Sequence, residues 1–115
     1  EYLGFMRSVT GMDEIMKTDA QATRYMRGQF LRMHDDKIDE EGRLVAYVLN
    51  LTRNWVADWG GLLHFQDDEG NVTDTFMPHF NSLSMFKVPA RHFVSCVAPY
   101  AEQPRYAITG WFRTN

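Results

Sequence analysis

The sequence has a single cysteine, Cys96, so a framework of internal disulfides is excluded. Small secreted domains commonly depend on such a framework, and a cytoplasmic setting is therefore the simpler expectation. Long hydrophobic runs are also lacking. None approaches the roughly 18 residues of a spanning helix, and nothing reads as a signal peptide, so no membrane partner is expected. A basic run or stripe is missing as well. Twelve Lys and Arg stand against 15 Asp and Glu, for a formal charge of -3, which argues against nucleic-acid binding by electrostatics. There is no internal repeat and no low-complexity linker. What is present is a chain of 115 residues, 44% of them hydrophobic, enough for one domain with a true core. The opening EYLGFM has no initiator Met and runs straight into a structured-looking segment. The expectation is a single domain over 1–115 that is incomplete at its amino end.

Residues 1–22 read as a helical lead-in. Met12, Ile15 and Met16 recur at helical spacing among good helix formers, giving one amphipathic helix, or two short ones broken near Gly11. Its expected place is the outside of a sheet. Over 23–115 strand signals dominate. TRYMRGQFLRMH alternates in part, with Gly28 as a bend or bulge, and KIDEEG reads as a turn ending in Gly42. RLVAYVLNLT has the branched and aromatic content of a buried strand. LLHFQ, a strand within VTDTFMPHFN, SLSMFKVP, HFVSCVAP and RYAITGWFRT follow, separated by Gly, Asn and Pro punctuation. Seven or eight short, closely spaced strands indicate a mainly β sandwich or barrel.

The stretch His34-Asp35-Asp36 is either half of a metal site or the polar start of a surface loop. If it stays extended, His34 and Asp36 face the same way and Asp35 faces the other. An imidazole beside a carboxylate supplies two members of a 2-His-1-carboxylate triad, the open-sided set of non-haem Fe(II) oxygenases. Of the three other histidines, His92 opens an apolar strand and is the best candidate for the third ligand. His64 adjoins an acidic turn and suits a solvent-facing edge, and His79 follows a proline. Arg105 begins an otherwise buried strand. It is either a rim arginine with a snorkelling head or a guanidinium fork for a carboxylate. Cys96 shares strand parity with His92, and a packed core thiol is its simpler reading. Trp55 and Trp59 are rim packing or an aromatic wall for a peptide.

The order His34-x-Asp36, distal His92, then Arg105 on the last core strand resembles the iron- and 2-oxoglutarate-dependent dioxygenases. YMRGQFLRMHDD, VLNLTRNWVADWGGLLHF, FNSLSMFKVP and RYAITGWF extend the resemblance over Tyr25 to Phe112, to the prolyl-hydroxylase branch whose eukaryotic members hydroxylate a proline of a small-subunit ribosomal protein. The resemblance implies a double-stranded β-helix, a cupin-like jelly roll with helices packed outside. It implies Fe(II) held by His34, Asp36 and His92, with 2-oxoglutarate as cosubstrate and O2 as oxidant. It implies that Arg105 pairs with the distal carboxylate of 2-oxoglutarate, helped by Tyr25, and that Asn50 lines the same pocket. The implied activity is hydroxylation of an unactivated C–H, foremost in a prolyl residue of a peptide or protein, with release of succinate and CO2. The same chemistry on a free amino acid or small metabolite, or an inactive jelly-roll binding module, are the alternatives. Relatives often carry a serine two residues after the arginine; here that residue is Ala107. The oligomeric state is left open.

Overall fold

The structure, a computed structural model, describes residues 2–36 and 42–114. Helix α1 (Tyr2–Thr10) opens the chain, followed by strands β1 (Lys17–Thr18), β2 (Gln21–Tyr25), β3 (Leu31–His34) and β4 (Arg43–Asn50). One turn of 3-10 helix (Ala57–Trp59) leads into β5 (Leu63–Gln66), β6 (Val72–Phe76), β7 (Ser82–Lys87), β8 (His92–Val94) and β9 (Arg105–Arg113). The helical lead-in is thus shorter than its periodicity suggests. Gly11 takes a φ of 72° and ends the helix, as glycine at a helix C-terminus does. Ile15 is still fully buried, but from a turn rather than a helix.

Among the described residues all pairings are antiparallel and form two sheets. The larger has the order β1-β9-β4-β7, with β2 also paired to β9, and the smaller has the order β3-β8-β5-β6. This is the two-sheet jelly roll, or double-stranded β-helix, that the family resemblance implies, and it agrees with the sandwich or barrel indicated by the strand spacing. Strands β4 and β9 lie mid-sheet and bury residues on both faces, which explains their nearly continuous apolar sequences. One face of the larger sheet carries Val45, Tyr47 and Phe112, packed against Met6 of α1 and Ile15. The opposite face looks into the cavity between the sheets. A second cluster, Trp55, Val97 and Ala101, packs with Trp59 and Tyr25. Trp55 is therefore a core residue, and its indole N–H donates to the Gly60 carbonyl at 2.9 Å.

Several sequence expectations change here. HFVSCVAP forms a strand only over His92–Val94, so Cys96 lies beyond it and is exposed rather than packed in the core. His64 is on β5, between β6 and β8, not on an edge; it stacks on Phe93 and hydrogen-bonds Thr75. The KIDEEG turn lies, apart from Gly42, outside the described residues. Among the described residues no helix is long and apolar enough to cross a membrane.

The segment between α1 and β2 is tied to β9 by Asp19. Its Oδ1 accepts the Trp111 backbone N–H at 2.9 Å, its Oδ2 pairs with Arg113 at 3.2 Å, and its carbonyl accepts the Tyr47 hydroxyl at 2.6 Å. This close approach needs a residue without a side chain at Gly110, where a Cβ would collide with the Asp19 carbonyl and lie 2.8 Å from the Tyr47 hydroxyl. Gly110→Ala should lower stability by about 1–3 kcal/mol or more, as overpacking against backbone does. A urea titration should show this as a lower midpoint at an unchanged slope.

Candidate metal centre

Strands β3 and β8 pair so that His34 stands directly opposite His92. Between the pairs Leu31↔Val94 and His34↔His92, β3 spends one residue more than β8, which is a bulge. The bulge re-aims the end of β3 and brings the two imidazoles to a centroid separation of 4.1 Å. Strand β3 ends at His34, so Asp36 is not carried there by an extended strand, as parity alone suggests. It lies in a turn with φ 67°, the left-handed region that Asp tolerates better than most residues. That conformation costs of order 1 kcal/mol and returns the carboxylate toward the imidazoles. Asp36 Oδ1 is 2.8 Å from His34 Nε2, and Oδ2 is 3.4 Å from His92 Nε2.

The remaining ring nitrogens are committed. His34 Nδ1 lies 2.8 Å from the Arg32 carbonyl and His92 Nδ1 2.6 Å from the Ala90 carbonyl. A carbonyl can only accept, so each Nδ1 carries a proton and each neutral ring presents a bare Nε2 lone pair toward Asp36. Two imidazole lone pairs and a carboxylate then converge, all within 4.8 Å of one another. Acceptors gathered like this repel unless a cation or proton lies among them, so the donor set fits a divalent metal. Among the described residues this is the only such group of His, Cys, Asp and Glu.

The titration shifts reflect the same frustration. Protonated at Nε2, His34 donates to Asp36, and this hydrogen bond raises its pKa, outweighing its partial burial. Burial lowers that of His92, which is 4% exposed and packed by the rings of Phe86 and Phe65. Burial alone would raise Asp36, but the hydrogen bond from His34 and the nearby charge of His92 and His34 hold it below the ordinary carboxylate value.

Arg105 reaches the same cavity from the facing sheet. It is 3% exposed, and its Nη2 donates to Asn50 Oδ1 at 3.2 Å. The Asn50 amide is oriented in turn by Ser82, whose hydroxyl oxygen accepts from Nδ2 at 3.1 Å. Asn50 does not line the cavity; it backs Arg105. Tyr25, the register partner of Arg105, places its ring 5.5 Å from the guanidinium carbon, and burial raises its phenol pKa. Gly61 leaves space for the arginine stem, since a Cβ there would lie 3.4 Å from Arg105 Cδ and 3.3 Å from the Trp55 ring. Arg105 Nε is buried with no hydrogen-bond partner among the described residues. A buried cation with an unused donor is costly without an anion nearby. The cavity joining His34, Asp36 and His92 to Tyr25 and Arg105 has a volume of about 360 Å³, within the usual range for small-ligand sites. Trp55 and Trp59 are not in its wall, so an aromatic peptide wall is not formed by them. At the position of Ala107 the cavity hydroxyl comes instead from its register partner Thr23, whose Oγ1 donates to the Ala107 carbonyl at 3.2 Å.

A family model for the 2OG-Fe(II) oxygenase superfamily matches residues 20–113. The chain belongs to that superfamily. Its members use Fe(II), 2-oxoglutarate and O2, and the relatives of this chain place it among the prolyl-hydroxylase-like members. It is 28% identical over 118 residues to the prolyl 3-hydroxylase OGFOD1 of Mus musculus, a match that covers 97% of this chain and 21% of that one. The crystal structure of a Pseudomonas putida prolyl-4-hydroxylase superposes with a TM-score of 0.80 at 26% identity, covering 99% of this chain and 65% of that chain. A prolyl hydroxylase in complex with a hypoxia inducible factor oxygen degradation domain peptide fragment, from Trichoplax adhaerens, gives 0.73 at 28% identity, covering 87% and 46%. The chain therefore spans about a fifth of the curated relative and under two thirds of either solved structure.

Because the His34 pKa is raised, its proton competes with a metal to a higher pH than that of a free imidazole. Affinity for a divalent cation should thus strengthen as pH rises from about 6 to about 8, with proton release on binding at the acid end. Calorimetric Mn(II) titrations in buffers of different ionisation enthalpy should show the released proton, and the release should fade as His34 deprotonates.

Proposed function

We propose that this chain carries the catalytic core of an Fe(II)- and 2-oxoglutarate-dependent hydroxylase acting on a prolyl residue of a peptide or protein. The observation that carries the reading is the convergence of His34 Nε2, Asp36 and His92 Nε2 in the cavity that also holds the buried Arg105. His34, Asp36 and His92 would hold the metal. Bound there, Fe(II) would supply oxygen activation coupled to oxidative decarboxylation of 2-oxoglutarate, with one oxygen atom going to a substrate C–H, the other to succinate, and CO2 lost.

The chain's own residues bind and orient. Three protein ligands on one side of a metal leave positions for other ligands. Arg105, fixed by Asn50, offers its guanidinium to the far carboxylate of the cosubstrate, with the Tyr25 phenol beside it. The metal ligands and the arginine lie on facing sheets, about 10 Å apart by ordinary sheet packing, a span a short diacid can bridge. Leu63, Val94 and Phe86 in the cavity wall exclude water from the reacting centre. The prolyl substrate is supported by the relatives, whose names specify prolyl hydroxylation.

Anaerobic Fe(II) with 2-oxoglutarate should give a weak visible charge-transfer band and, in air, succinate. Asp36→Ala should abolish both; retention of either sinks the assignment. Arg105→Met should weaken 2-oxoglutarate binding about tenfold to a hundredfold, the worth of a hydrogen-bonded charge. Peptides carrying proline should gain one oxygen by mass spectrometry. Turnover of only a small molecule would move the substrate, and binding without any turnover would indicate a binding module.

A further inference from the structure

Asp36 lies beyond the last ladder pair of β3, in a left-handed turn, yet its carboxylate must hold two fixed distances. Something other than strand pairing has to keep its backbone in place. On one side the Ala90 N–H donates to the Asp35 carbonyl at 3.3 Å. On the other, Arg43 Nη1 donates to the Asp36 carbonyl at 3.1 Å. The Arg43 guanidinium itself lies over the Trp111 indole, with its central carbon 3.6 Å from the ring centroid. Trp111 is fixed in turn through its backbone N–H by Asp19. A planar guanidinium stacks on an aromatic face and still donates from its edge, a combination lysine does not offer.

We propose that Arg43 is a positioning residue for the metal centre: propped on Trp111, it latches the Asp36 carbonyl and so holds the Asp36 carboxylate in its coordinating orientation. The inference rests on the assignment of His34, Asp36 and His92 as metal ligands. Arg43 meets Asp36 at its main-chain carbonyl, so it acts through the backbone of that residue. The latch also spans the two sheets, since Arg43 and Trp111 belong to β4 and β9 while His34 and His92 belong to β3 and β8. A displacement of β9 near Trp111 would therefore reach the metal ligand through Arg43.

The test uses Mn(II) as the probe, with free Mn(II) read by electron paramagnetic resonance and the metal-free Tm measured in parallel. Arg43→Met retains an apolar stem over Trp111 and removes the donor. It should raise the Mn(II) Kd by about 10–100-fold, the usual effect of losing an outer partner of a metal ligand, while metal-free Tm moves by only a few degrees. Arg43→Lys, which retains a cationic donor, should recover part of the affinity. An Arg43→Met Kd within threefold of the parent overturns the latch, as does a loss of metal-free Tm with affinity intact. If Arg43→Met does not fold, Arg43→Gln, too short to reach the Asp36 carbonyl, is read by the same threefold limit. Asp36→Ala separates the two claims. If the parent shows no Asp36-dependent Mn(II) binding, the ligand assignment fails and the latch falls with it; if it does and Arg43→Met matches the parent, only the latch fails.

Discussion

Antiparallel pairing along both edges of β9 is the constraint from which the site is built. One edge pairs with β4 over Arg43 to Asn50, and the other pairs first with β2 and then with β1. Backbone partners on both sides allow the strand to be buried without unpaired polar groups. Its side chains then alternate. Arg105, Thr109 and Trp111 face the cavity, while Ile108 and Phe112 join the cluster beneath α1. A buried guanidinium is expensive wherever it occurs. Here its backbone is fixed by two neighbouring strands, one bringing Asn50 and the other Tyr25, so the charge is oriented before any ligand arrives.

The smaller sheet contributes the opposite kind of frustration. His34, Asp36 and His92 are acceptors brought together by a bulge and a left-handed turn. Each departs from regular strand geometry, the first by an extra residue and the second by a positive φ. Burial on the His92 side adds to the cost, because Phe65 and Phe86 disfavour a protonated ring there. An excess of negative character on one sheet thus faces an excess of positive character on the other. A cation at the first and an anion at the second relieve both, which is why the arrangement reads as a site for two ligands rather than as a packing defect.

Much of this is legible in the sequence. Short strands punctuated by Gly, Asn and Pro indicate a sandwich or barrel, and the buried character of RLVAYVLNLT and RYAITGWFRT marks the mid-sheet strands β4 and β9. The ordered residues His34, Asp36, His92 and Arg105 do lie around one cavity. The failures are local and have physical causes. Helical periodicity past Gly11 does not produce helix, because Asp19 ties the following segment to β9. Parity over HFVSCVAP misplaces Cys96, because the strand stops at Val94 before parity can apply. Parity over His34 and Asp36 brings the right residues together for the wrong reason, since a turn rather than an extended strand returns the carboxylate.

What composition and spacing cannot show is which residue holds another in place. Arg43 opens an apolar strand like any edge cation, and nothing in RLVAYVLN ties it to an aspartate seven positions earlier. Asn50 likewise closes the same strand as an ordinary polar end, though its amide is oriented by Ser82 and faces Arg105. Both relationships depend on register between strands far apart in sequence, which single-chain periodicity does not encode. Strand β4 therefore has two polar ends with matching tasks. Arg43 donates to the Asp36 carbonyl at one, and Asn50 accepts from Arg105 at the other. The apolar run between them, packed on both faces, sets the distance at which those two supports are held.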